Sequence, residues 1–428
     1  MDFKINPVEG LKGTIEVPGD KSISHRALLL GALAEGKTHV KNFLSAEDCL
    51  STLTCLEKLG VAIEKLSPTE LLIEGVGFRG FREPADILNC GNSGTTLRIL
   101  PGILAGQDFF SVLTGDSSLR KRPMKRIVEP LTQMGAKIWG RDDCNLAPIA
   151  IQGGPLQSIS HATPVPSAQI KTALLLAALL ASGETHIEEK HKSRDHTERM
   201  LRFLGAKIDI ENNSYRISSG NKLSAGEIDI PGDISSAAFF VIGGLITPNS
   251  ELSIKNVGIN PTRAGLVQLL IDMGANIRQT EDIEKSGEPR ADLSIKTTHL
   301  RSFQVTEEIV PLIIDELPIL AVAATQAEGE SVVSGAHELR LKESDRIRAI
   351  CSELKKFGAD ITEKPDGFIV NGPTRLRGAV ADSFGDHRMA MALAVAGLVA
   401  DGATTIKNAE SVRISFPNFL NLLEEIAV

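Results

Sequence analysis

The sequence predicts an α/β protein of two domains, built from six repeated units with three units in each domain. Three observations predict this architecture. A helix-ending glycine motif recurs along the chain, alternating strands follow Ala/Leu-rich helices, and a Pro-Gly-Asp segment occurs in near-copy in the two halves. The chain has 428 residues, a length at which two or three domains are usual.

The helix-ending motif has leucine four residues before a glycine and isoleucine three residues after it. Its glycines lie 75, 70, 69 and 84 residues apart, at Gly60, Gly135, Gly205, Gly274 and Gly358. Apolar residues followed by glycine are typical of a helix that ends at a glycine C-cap. The isoleucine then indicates the start of a strand. At about 75 residues per unit, the chain accommodates six units.

A second recurrent element supports the same unit. Ala/Leu-rich helices end in short polar turns at residues 31–36, 179–183, 324–329 and 397–402. Each turn precedes an alternating segment such as residues 38–41 (Thr-His-Val-Lys), which is typical of a half-buried strand. One unit therefore reads as helix, turn, strand, second helix, glycine and strand.

The two Pro-Gly-Asp segments suggest where the chain crosses between domains. Residues 15–20 and 228–233 are near-copies, and each precedes an apolar helix. The alternative for each is an ordinary turn before a helix. The last unit ends at Val428, so we expect the N-terminal strand to complete it. The expected domains are residues 1–19 with 231–428 (domain I) and residues 20–230 (domain II).

Composition excludes several classes of protein. Lys and Arg number 46 against 54 Asp and Glu, for a net charge of −8, and aromatics make up 4%. This balance disfavours nucleic acid as a partner, which needs basic surface and stacking rings. The five cysteines form no CxxC pair, so neither a disulfide framework nor a cysteine metal site is expected. The N-terminus has no signal-like core, and the longest apolar run, Met389–Ala400, is too short for a membrane span. We expect a cytoplasmic monomer.

Several helix starts in the first half of the chain combine cations with small polar residues, a composition suited to anions. Lys21, Ser22 and Arg26 form the first, where Ser22 alone is explained equally well as a helix cap. Residues 91–96 (Gly-Asn-Ser-Gly-Thr-Thr) form a glycine-rich loop that lacks the Lys of a nucleotide-binding loop. Arg122 precedes Pro123, which is suited to the first position of a helix.

Two further helix starts carry weaker signals. Ser167 and Gln169 open an apolar helix, and capping by these side chains is a strong alternative to ligand binding. Arg194 lies at the start of the next predicted helix, which begins within residues 193–198. The same capping alternative applies there.

The second half of the chain places carboxylates in an unusual setting. Asp315 and Glu316 interrupt the apolar run 309–324, where a carboxylate is costly unless it caps a helix or is used. Residues 342–348 alternate in charge, and Lys342 and Arg346 are expected to share a helix face while Glu343 points aside.

Residues 385–388 (Gly-Asp-His-Arg) precede another apolar helix. This places Arg388 at a helix start. His387 suggests a general base or a histidine held in place by hydrogen bonds. Together, the helix starts of the two halves predict a positive cleft for a small substrate with several negative charges.

These residues resemble the 5-enolpyruvylshikimate-3-phosphate synthase (3-phosphoshikimate 1-carboxyvinyltransferase) family. The likeness extends through the whole chain and rests on six motifs, at residues 19–26, 91–95, 120–124, 167–169, 342–346 and 385–390. The resemblance implies an inside-out α/β barrel of two domains, each with three βαβαββ units, joined by a double crossover. It also implies transfer of the enolpyruvyl group of phosphoenolpyruvate to shikimate 3-phosphate, without metal or cofactor.

The resemblance assigns roles to particular residues. Those expected to bind shikimate 3-phosphate are Lys21, Ser22, Arg26, Ser167, Gln169, Arg194, Asp315 and Lys342. Those expected to bind phosphoenolpyruvate are Lys21, Gly94, Arg122, Gln169, Arg346 and Arg388. Asp315 is the expected base for the attacking hydroxyl, and Glu343, with Lys21, is the expected proton donor.

Departures from the better-studied members indicate the more divergent, class II-like branch of the family. Glu338 replaces an asparagine, Ala168 replaces a second serine, and Ile414 beside Arg413 replaces a lysine. Whether Arg413 takes the place of that lysine stays open. Gly94 stands where alanine accompanies glyphosate tolerance in this branch, so we expect mimics of phosphoenolpyruvate to inhibit.

Two other hypotheses were weighed against this one. The sister family, UDP-N-acetylglucosamine enolpyruvyl transferase, commonly has a cysteine in the loop that here spans residues 118–124, where this chain has none. A non-catalytic scaffold or RNA-phosphate binder needs only the basic residues, not Asp315 or Glu343. The net acidity of the chain also argues against it.

Overall fold

The computed structural model describes residues 1–428 and separates them into two compact units. Unit 1 comprises residues 1–18, 231–283 and 289–428, and unit 2 comprises residues 19–230 and 284–288. Gly19 and Glu284–Glu288 thus fall in unit 2, whereas the sequence analysis places them in domain I. Each unit has its own core of buried apolar side chains.

The helices alternate with short strands along the whole chain. The helices are α1 (Lys21–Leu33), α2 (Glu47–Lys58), α3 (Gly94–Leu104), α4 (Lys125–Gln133), α5 (Arg141–Cys144), α6 (Ala168–Leu180), α7 (His196–Phe203), α8 (Ile234–Ile246), α9 (Gly265–Asp272), α10 (Val310–Ile313), α11 (Leu317–Gln326), α12 (Arg346–Lys356), α13 (His387–Leu398) and α14 (Phe419–Ile426). Short 3₁₀ helices span Leu119–Lys121, His337–Leu341 and Ala409–Ile414.

The strands are short throughout, and the longest has 9 residues. They are β1 (Phe3–Ile5), β2 (Lys12–Glu16), β3 (Glu35–Lys41), β4 (Ala62–Ser67), β5 (Glu70–Val76), β6 (Leu88–Asn89), β7 (Phe110–Thr114), β8 (Lys137–Gly140), β9 (Leu146–Gln152), β10 (Leu156–Gln157), β11 (Ser160–Thr163), β12 (Ala181–Ser182), β13 (Glu184–Glu189), β14 (Ile208–Glu211), β15 (Ser214–Ser218), β16 (Glu227–Asp229), β17 (Glu251–Gly258), β18 (Asn276–Gln279), β19 (Ile283–Lys285), β20 (Glu288–Lys296), β21 (Gln304–Val305), β22 (Gly329–Val333), β23 (Asp360–Lys364), β24 (Gly367–Gly372), β25 (Val380–Asp382) and β26 (Thr404–Lys407).

Five sheets share one strand pattern. Their strand orders are β16-β3-β5-β4, β6-β7-β9-β8, β11-β13-β15-β14, β2-β17-β20-β18 and β21-β22-β24-β23. In each, the first pair is parallel and the next two pairs are antiparallel. A sixth sheet places β25 parallel and the N-terminal strand β1 antiparallel to β26, with Phe3 opposite Ile406.

The glycine motif ends a helix at every occurrence, as predicted. The five glycines have φ between 87° and 102°, a left-handed conformation that glycine adopts without steric cost. Each lies shortly after a helix and shortly before the strand that the isoleucine indicated. This motif therefore sets the boundary between helix and strand within each unit.

Six apolar helices lie buried within the cores. Helices α1, α3 and α6 belong to unit 2, and α8, α11 and α13 belong to unit 1. A helix that is apolar on all sides is stable only when it is enclosed. Five of the six begin at a side chain that caps a backbone N–H: Asp20, Ser93, Ser167, Asp233 and Asp386. Six of the candidate site residues lie at the starts of these helices: Lys21, Ser22, Gly94, Ser167, Gln169 and Arg388.

Neither a membrane span nor a metal cluster is present. None of the helices combines the length and the hydropathy needed to cross a bilayer. No group of three or more His, Cys, Asp or Glu side chains is arranged to hold a metal ion.

Candidate functional site

The start of α1 is capped by Asp20, not by Ser22. The Asp20 carboxylate accepts a hydrogen bond from the backbone N–H of Ile23 at 2.9 Å. Ser22 lies inside the first turn, so the capping alternative for Ser22 is wrong. Lys21, beside it, donates to Asp48 Oδ2 at 3.0 Å, and both side chains are largely buried. Asp48 on α2 therefore fixes the direction of the Lys21 ammonium.

Arg26 is buried yet has no carboxylate within ion-pair distance. Its Nε donates to Thr197 Oγ1 at 2.7 Å, its Nη2 to Thr172 Oγ1 at 2.8 Å, and its Nη1 to the Ser22 carbonyl at 2.9 Å. Burial is the largest of the effects that bring the pKa of Arg26 to about 10; Glu198 and Asp20 raise it, and Arg194 lowers it. A buried guanidinium that is bonded only to neutral oxygens is suited to binding an anion.

The glycine-rich loop brings two guanidinium groups together at Gly94, the first residue of α3. A Cβ atom at this position would lie 3.2 Å from Nη1 of Arg122 and 3.2 Å from Nη1 of Arg98. Arg122 is held by a bond from Nη2 to Asn92 Oδ1 at 2.7 Å. Asn92 in turn donates to Asp116 at 2.6 Å. The loop thus places its backbone and two cations around one small volume.

The prediction that Pro123 starts a helix beside Arg122 is wrong. Helix α4 begins at Lys125, and Arg122 directly follows the 3₁₀ helix Leu119–Lys121. The side chain is fixed by the loop at Asn92 rather than by a helix start.

Ser167 caps α6, and Gln169 has a different task. Ser167 Oγ accepts from the backbone N–H of Ile170 at 3.5 Å, as the capping alternative predicts. Gln169 Oε1 accepts from Arg98 Nη1 at 3.1 Å, and its amide donates to Thr95 at 3.3 Å. Gln169 therefore connects the start of α6 to the start of α3 and caps neither.

Arg194 lies between β13 and α7, where Asp195 and not Ser193 occupies the N-cap position. Its side chain is half-buried. We call the gathered residues of unit 2 the basic half-site: Lys21, Ser22, Arg26, Gly94, Arg98, Arg122, Ser167, Gln169 and Arg194.

Arg346 organises the corresponding surface of unit 1. Its side chain is 1% exposed and opens α12. It donates from Nε to Asp386 Oδ2 at 2.8 Å, from Nη2 to Glu343 Oε2 at 2.5 Å, and from Nη1 to Asp315 Oδ1 at 3.3 Å. Burial alone lowers the pKa of Arg346, but these three carboxylates outweigh burial and raise it. The guanidinium is therefore permanently charged.

Asp315 lies in the break between α10 and α11 among three cations. Besides Arg346, its carboxylate is 3.7 Å from Lys342 Nζ and 3.6 Å from Arg388 Nη2. Arg388 Nη1 also donates to the Asp315 carbonyl at 3.0 Å. Opposite charges at these distances favour the ionised carboxylate, the form that accepts a proton.

Lys342 and Arg346 do not share a helix face, because α12 begins only at Arg346 and is capped by Asp345. Both still reach Asp315. His387 is buried in the first turn of α13. We call the unit 1 set the carboxylate half-site: Asp315, Lys342, Glu343, Arg346, Asp386 and Arg388.

Sequence reasoning missed four residues that hold the others. Asp48 orients Lys21, Asn92 holds Arg122, Arg98 bonds Gln169, and Asp386 supports Arg346. Asp386 also caps α13 through the backbone N–H of Arg388 at 2.9 Å. The sequence carried a signal for two of them: Asn92 lies in the glycine-rich loop of residues 91–96, and Asp386 belongs to a Gly-Asp pair before an apolar helix, as in the Pro-Gly-Asp segments.

Comparison with known proteins identifies the family to which the chain is similar. The family model for EPSP synthase (3-phosphoshikimate 1-carboxyvinyltransferase) matches residues 5–423. The 3-phosphoshikimate 1-carboxyvinyltransferase of Desulforamulus reducens is 51% identical over 428 residues, covering 100% of both chains. That of Pelotomaculum thermopropionicum is 50% identical over 429 residues, covering 100% of this chain and 99% of its own.

A solved structure of EPSP synthase from Acinetobacter baumannii has the same fold. It superposes with a TM-score of 0.90 at 45% sequence identity, covering 100% of this chain and 98% of its own. With a match of this extent in sequence and in structure, the chain belongs to the EPSP synthase (3-phosphoshikimate 1-carboxyvinyltransferase) family.

Proposed function

We propose that the basic and carboxylate half-sites serve one reaction, the transfer of the enolpyruvyl group of phosphoenolpyruvate to the 5-hydroxyl of shikimate 3-phosphate. Phosphate is the second product. The family to which the chain belongs is named for this activity. The observation that carries the proposal is the position of the Asp315 carboxylate among the cations of Lys342, Arg346 and Arg388. A phosphate binder or scaffold has no need of it.

Shikimate 3-phosphate supplies a phosphate, a carboxylate and hydroxyl groups, and the proposed contacts match these in kind. Lys21, Ser22, Arg26, Ser167, Gln169 and Arg194 offer cations, hydroxyls and an amide in unit 2. Asp315 and Lys342 contribute from unit 1. The buried Arg26, which has no carboxylate partner, is the strongest of these candidates for the phosphate.

Phosphoenolpyruvate carries a phosphate and a carboxylate. The proposed contacts are Lys21, Gly94, Arg122, Gln169, Arg346 and Arg388. Gly94 lets the anion approach the backbone, and Arg122 and Arg98 both point at this position. The guanidinium groups of Arg346 and Arg388 are suited to bidentate recognition of a carboxylate.

The chemistry is an addition followed by an elimination. Glu343, with Lys21, donates a proton to the methylene carbon of phosphoenolpyruvate, and Asp315 removes the proton of the 5-hydroxyl as its oxygen bonds to the adjacent carbon. The bond from that carbon to the phosphate oxygen then breaks while the methyl group formed in the first step returns a proton to the carboxylate that supplied it, so that the carbon–carbon double bond is restored and phosphate leaves. Fixed cations stabilise the charge that develops. No metal or cofactor is required by these steps.

Arg346 couples substrate binding to the state of Glu343. In the free protein its Nη2 lies 2.5 Å from Glu343 Oε2, which favours the ionised carboxylate. A substrate carboxylate on Arg346 competes for that positive charge, so Glu343 then binds a proton more readily. This gives Glu343 its acid role only when phosphoenolpyruvate is bound.

We propose the inside-out α/β barrel with six βαβαββ units and a double crossover as the description of the fold. Its domains are residues 1–19 with 231–428 and residues 20–230. Five sheets with one strand pattern, and a sixth containing the N-terminal strand, support six units.

The test is phosphate release from the purified protein with both substrates, compared with Asp315→Ala. Removing a general base ordinarily costs about 10²- to 10⁴-fold in rate. Asp209→Asn, at an exposed strand position, is the matched control and should keep the full rate. Release that needs only one substrate, or an Asp315→Ala rate near that of the control, would overturn the proposal. Turnover with UDP-N-acetylglucosamine instead would assign the sister activity.

A further inference from the structure

A buried ion cluster in unit 2 lies behind the basic half-site and contacts no proposed substrate group. Lys171 on α6 is 0% exposed, and its Nζ lies 2.8 Å from Glu189 Oε2 and 2.7 Å from Glu198 Oε1. Tyr215 OH is 3.2 Å from the same ammonium and donates to Glu189 Oε2 at 3.0 Å. We call Lys171, Glu189, Glu198 and Tyr215 the lysine cluster.

This arrangement is costly for a cluster that only fills the core. Two carboxylates face one ammonium, and all the side chains are buried. The pKa of Glu198 is raised, with burial as the largest cause and Lys171 acting in the opposite direction. Burial lowers the pKa of Lys171, but Glu198 and Glu189 outweigh burial and raise it. Apolar side chains of similar volume ordinarily stabilise a core as well or better, so the contacts that the cluster makes are the better guide to its role.

The lysine cluster holds one loop segment by both of its backbone groups. Glu189 Oε2 accepts from the N–H of Ser193 at 3.2 Å, and Lys171 Nζ lies 3.4 Å from the Ser193 carbonyl. Ser193 directly precedes Arg194, whose charge lowers the pKa of Arg26. The cluster therefore fixes the backbone segment that carries Arg194.

The same cluster ties this loop to the starts of two helices. Lys171 lies within the first turn of α6, which begins beside Ser167 and Gln169. Glu198 lies in the first turn of α7, next to Thr197, which accepts from Arg26 Nε. One ammonium thus connects the segments that carry several of the cations and hydroxyls proposed for the sugar phosphate.

We propose that Lys171, Glu189 and Tyr215 are positioning residues that set the affinity for the phosphate group of shikimate 3-phosphate by fixing the Ser193–Arg194 backbone. This inference rests on the proposed function, because it takes the basic half-site to bind that substrate. It concerns the sugar phosphate, since Arg194 is a proposed contact of that substrate only, whereas Arg122 is held by Asn92.

The chain offers a matched pair of variants. Glu189→Met and Glu198→Met each remove one carboxylate and leave Lys171 in a one-to-one ion pair. Only Glu189 bonds to Ser193. We expect Glu189→Met to raise the dissociation constant for shikimate 3-phosphate about 10-fold or more, since it leaves a buried N–H without its acceptor. Glu198→Met should not raise it, because Ser193 keeps its acceptor and a negative charge near Arg26 is removed.

A milder variant keeps the test informative if Glu189→Met does not fold. Tyr215→Phe removes one hydrogen bond to Glu189 and retains the ring, so we expect a rise of about threefold in the same constant. Binding is measured by titration calorimetry, and the KM for phosphoenolpyruvate is measured at saturating shikimate 3-phosphate. That KM should stay unchanged in all three variants. Thermal unfolding of each variant shows its loss of stability separately.

The outcomes separate the two ideas. If the unaltered protein does not bind shikimate 3-phosphate, the proposed function is wrong and this inference falls with it. If it binds, equal affinities in Glu189→Met and Glu198→Met would overturn the positioning role alone, as would an equal rise in the KM for phosphoenolpyruvate. A purely structural cluster lowers the unfolding temperature in both variants and leaves the binding constants alike.

Discussion

Replacing Gly94 by alanine tests whether Arg98 and Arg122 define the pocket for phosphoenolpyruvate. Gly94 has an ordinary helical conformation at the first position of α3, so alanine introduces no backbone strain there. The added methyl group meets Nη1 of each guanidinium at 3.2 Å and Leu119 Cδ1 at 3.9 Å. The crowding therefore falls on the two cations.

The expected size of the effect follows from these distances. Unstrained contacts of this kind lie at about 3.5 to 4.0 Å, so each guanidinium must retreat by a few tenths of an ångström. A displacement of about 1 Å in a positioning group can cost about 10²-fold. A shift of one third to one half of that distance predicts a rise of about 5- to 10-fold in the KM for phosphoenolpyruvate. Compact mimics of this substrate should lose affinity as well.

Steady-state phosphate release, with each substrate varied in turn, measures this prediction. The KM for shikimate 3-phosphate should stay unchanged, because Arg26 and Ser22 lie on α1 and not at Gly94. Gly154→Ala is the matched control, since a Cβ atom there meets nothing within 4 Å. An equal rise in both KM values, or no rise in either, would refute the reasoning.

Three further predictions concern buried ionisable groups. Asp386→Ala removes both a carboxylate partner of the buried Arg346 and the N-cap of α13. Urea denaturation should therefore show a loss of about 3 to 5 kcal/mol in unfolding free energy. A loss below about 1 kcal/mol would show that Glu343 and Asp315 are enough to neutralise Arg346. Burial, and to a lesser extent the nearby cations, holds the pKa of His25 well below 6.5. Below pH 6.5 the unfolded chain therefore binds a proton at His25 that the folded chain does not bind. The free energy of unfolding should fall by up to about 1.4 kcal/mol per pH unit as the pH decreases, and the His25→Asn variant should lack this part of the pH dependence. Equal slopes of unfolding free energy against pH in the two proteins between pH 6.5 and 5 would contradict the prediction. Asp48→Asn leaves Lys21 without its carboxylate and should lower kcat/KM about 10-fold in the same assay as above, whereas an unchanged value would show that Asp48 is dispensable.

The parts of the fold that were predictable from the sequence depend on local conformation. The helix-ending glycines adopt positive φ at all five positions because no other residue does so without cost. Likewise, Asp20 and Asp233 of the two Pro-Gly-Asp segments both cap a buried helix. Such signals lie within a few residues of the structure that they specify, so one sequence is enough to detect them.

The identity of the capping residue was harder to predict, although capping itself was expected. From the sequence, Ser22 is a candidate cap of α1, whereas Asp20 two residues earlier performs that role. Ser167 was weighed in the same way and does cap. Aspartate and serine are both good caps, so composition places the helix start to within a turn. The choice of cap then decides which hydroxyl faces solvent or ligand.

Pairings between distant charges could not be predicted, and this explains which residues were missed. Gln169 meets Arg98 across 71 residues, and Arg346 meets Asp386 across 40. Many acidic residues in a sequence could pair with a given cation, and only the packing of the helices determines which of them lies within bonding distance. The residues expected to touch substrate stood out because they concentrate charge at helix starts. Those that hold them, such as Asp48, occupy ordinary helical positions, where an aspartate needs no special explanation. A supporting residue therefore becomes recognisable only once the side chain that it supports has been located in three dimensions.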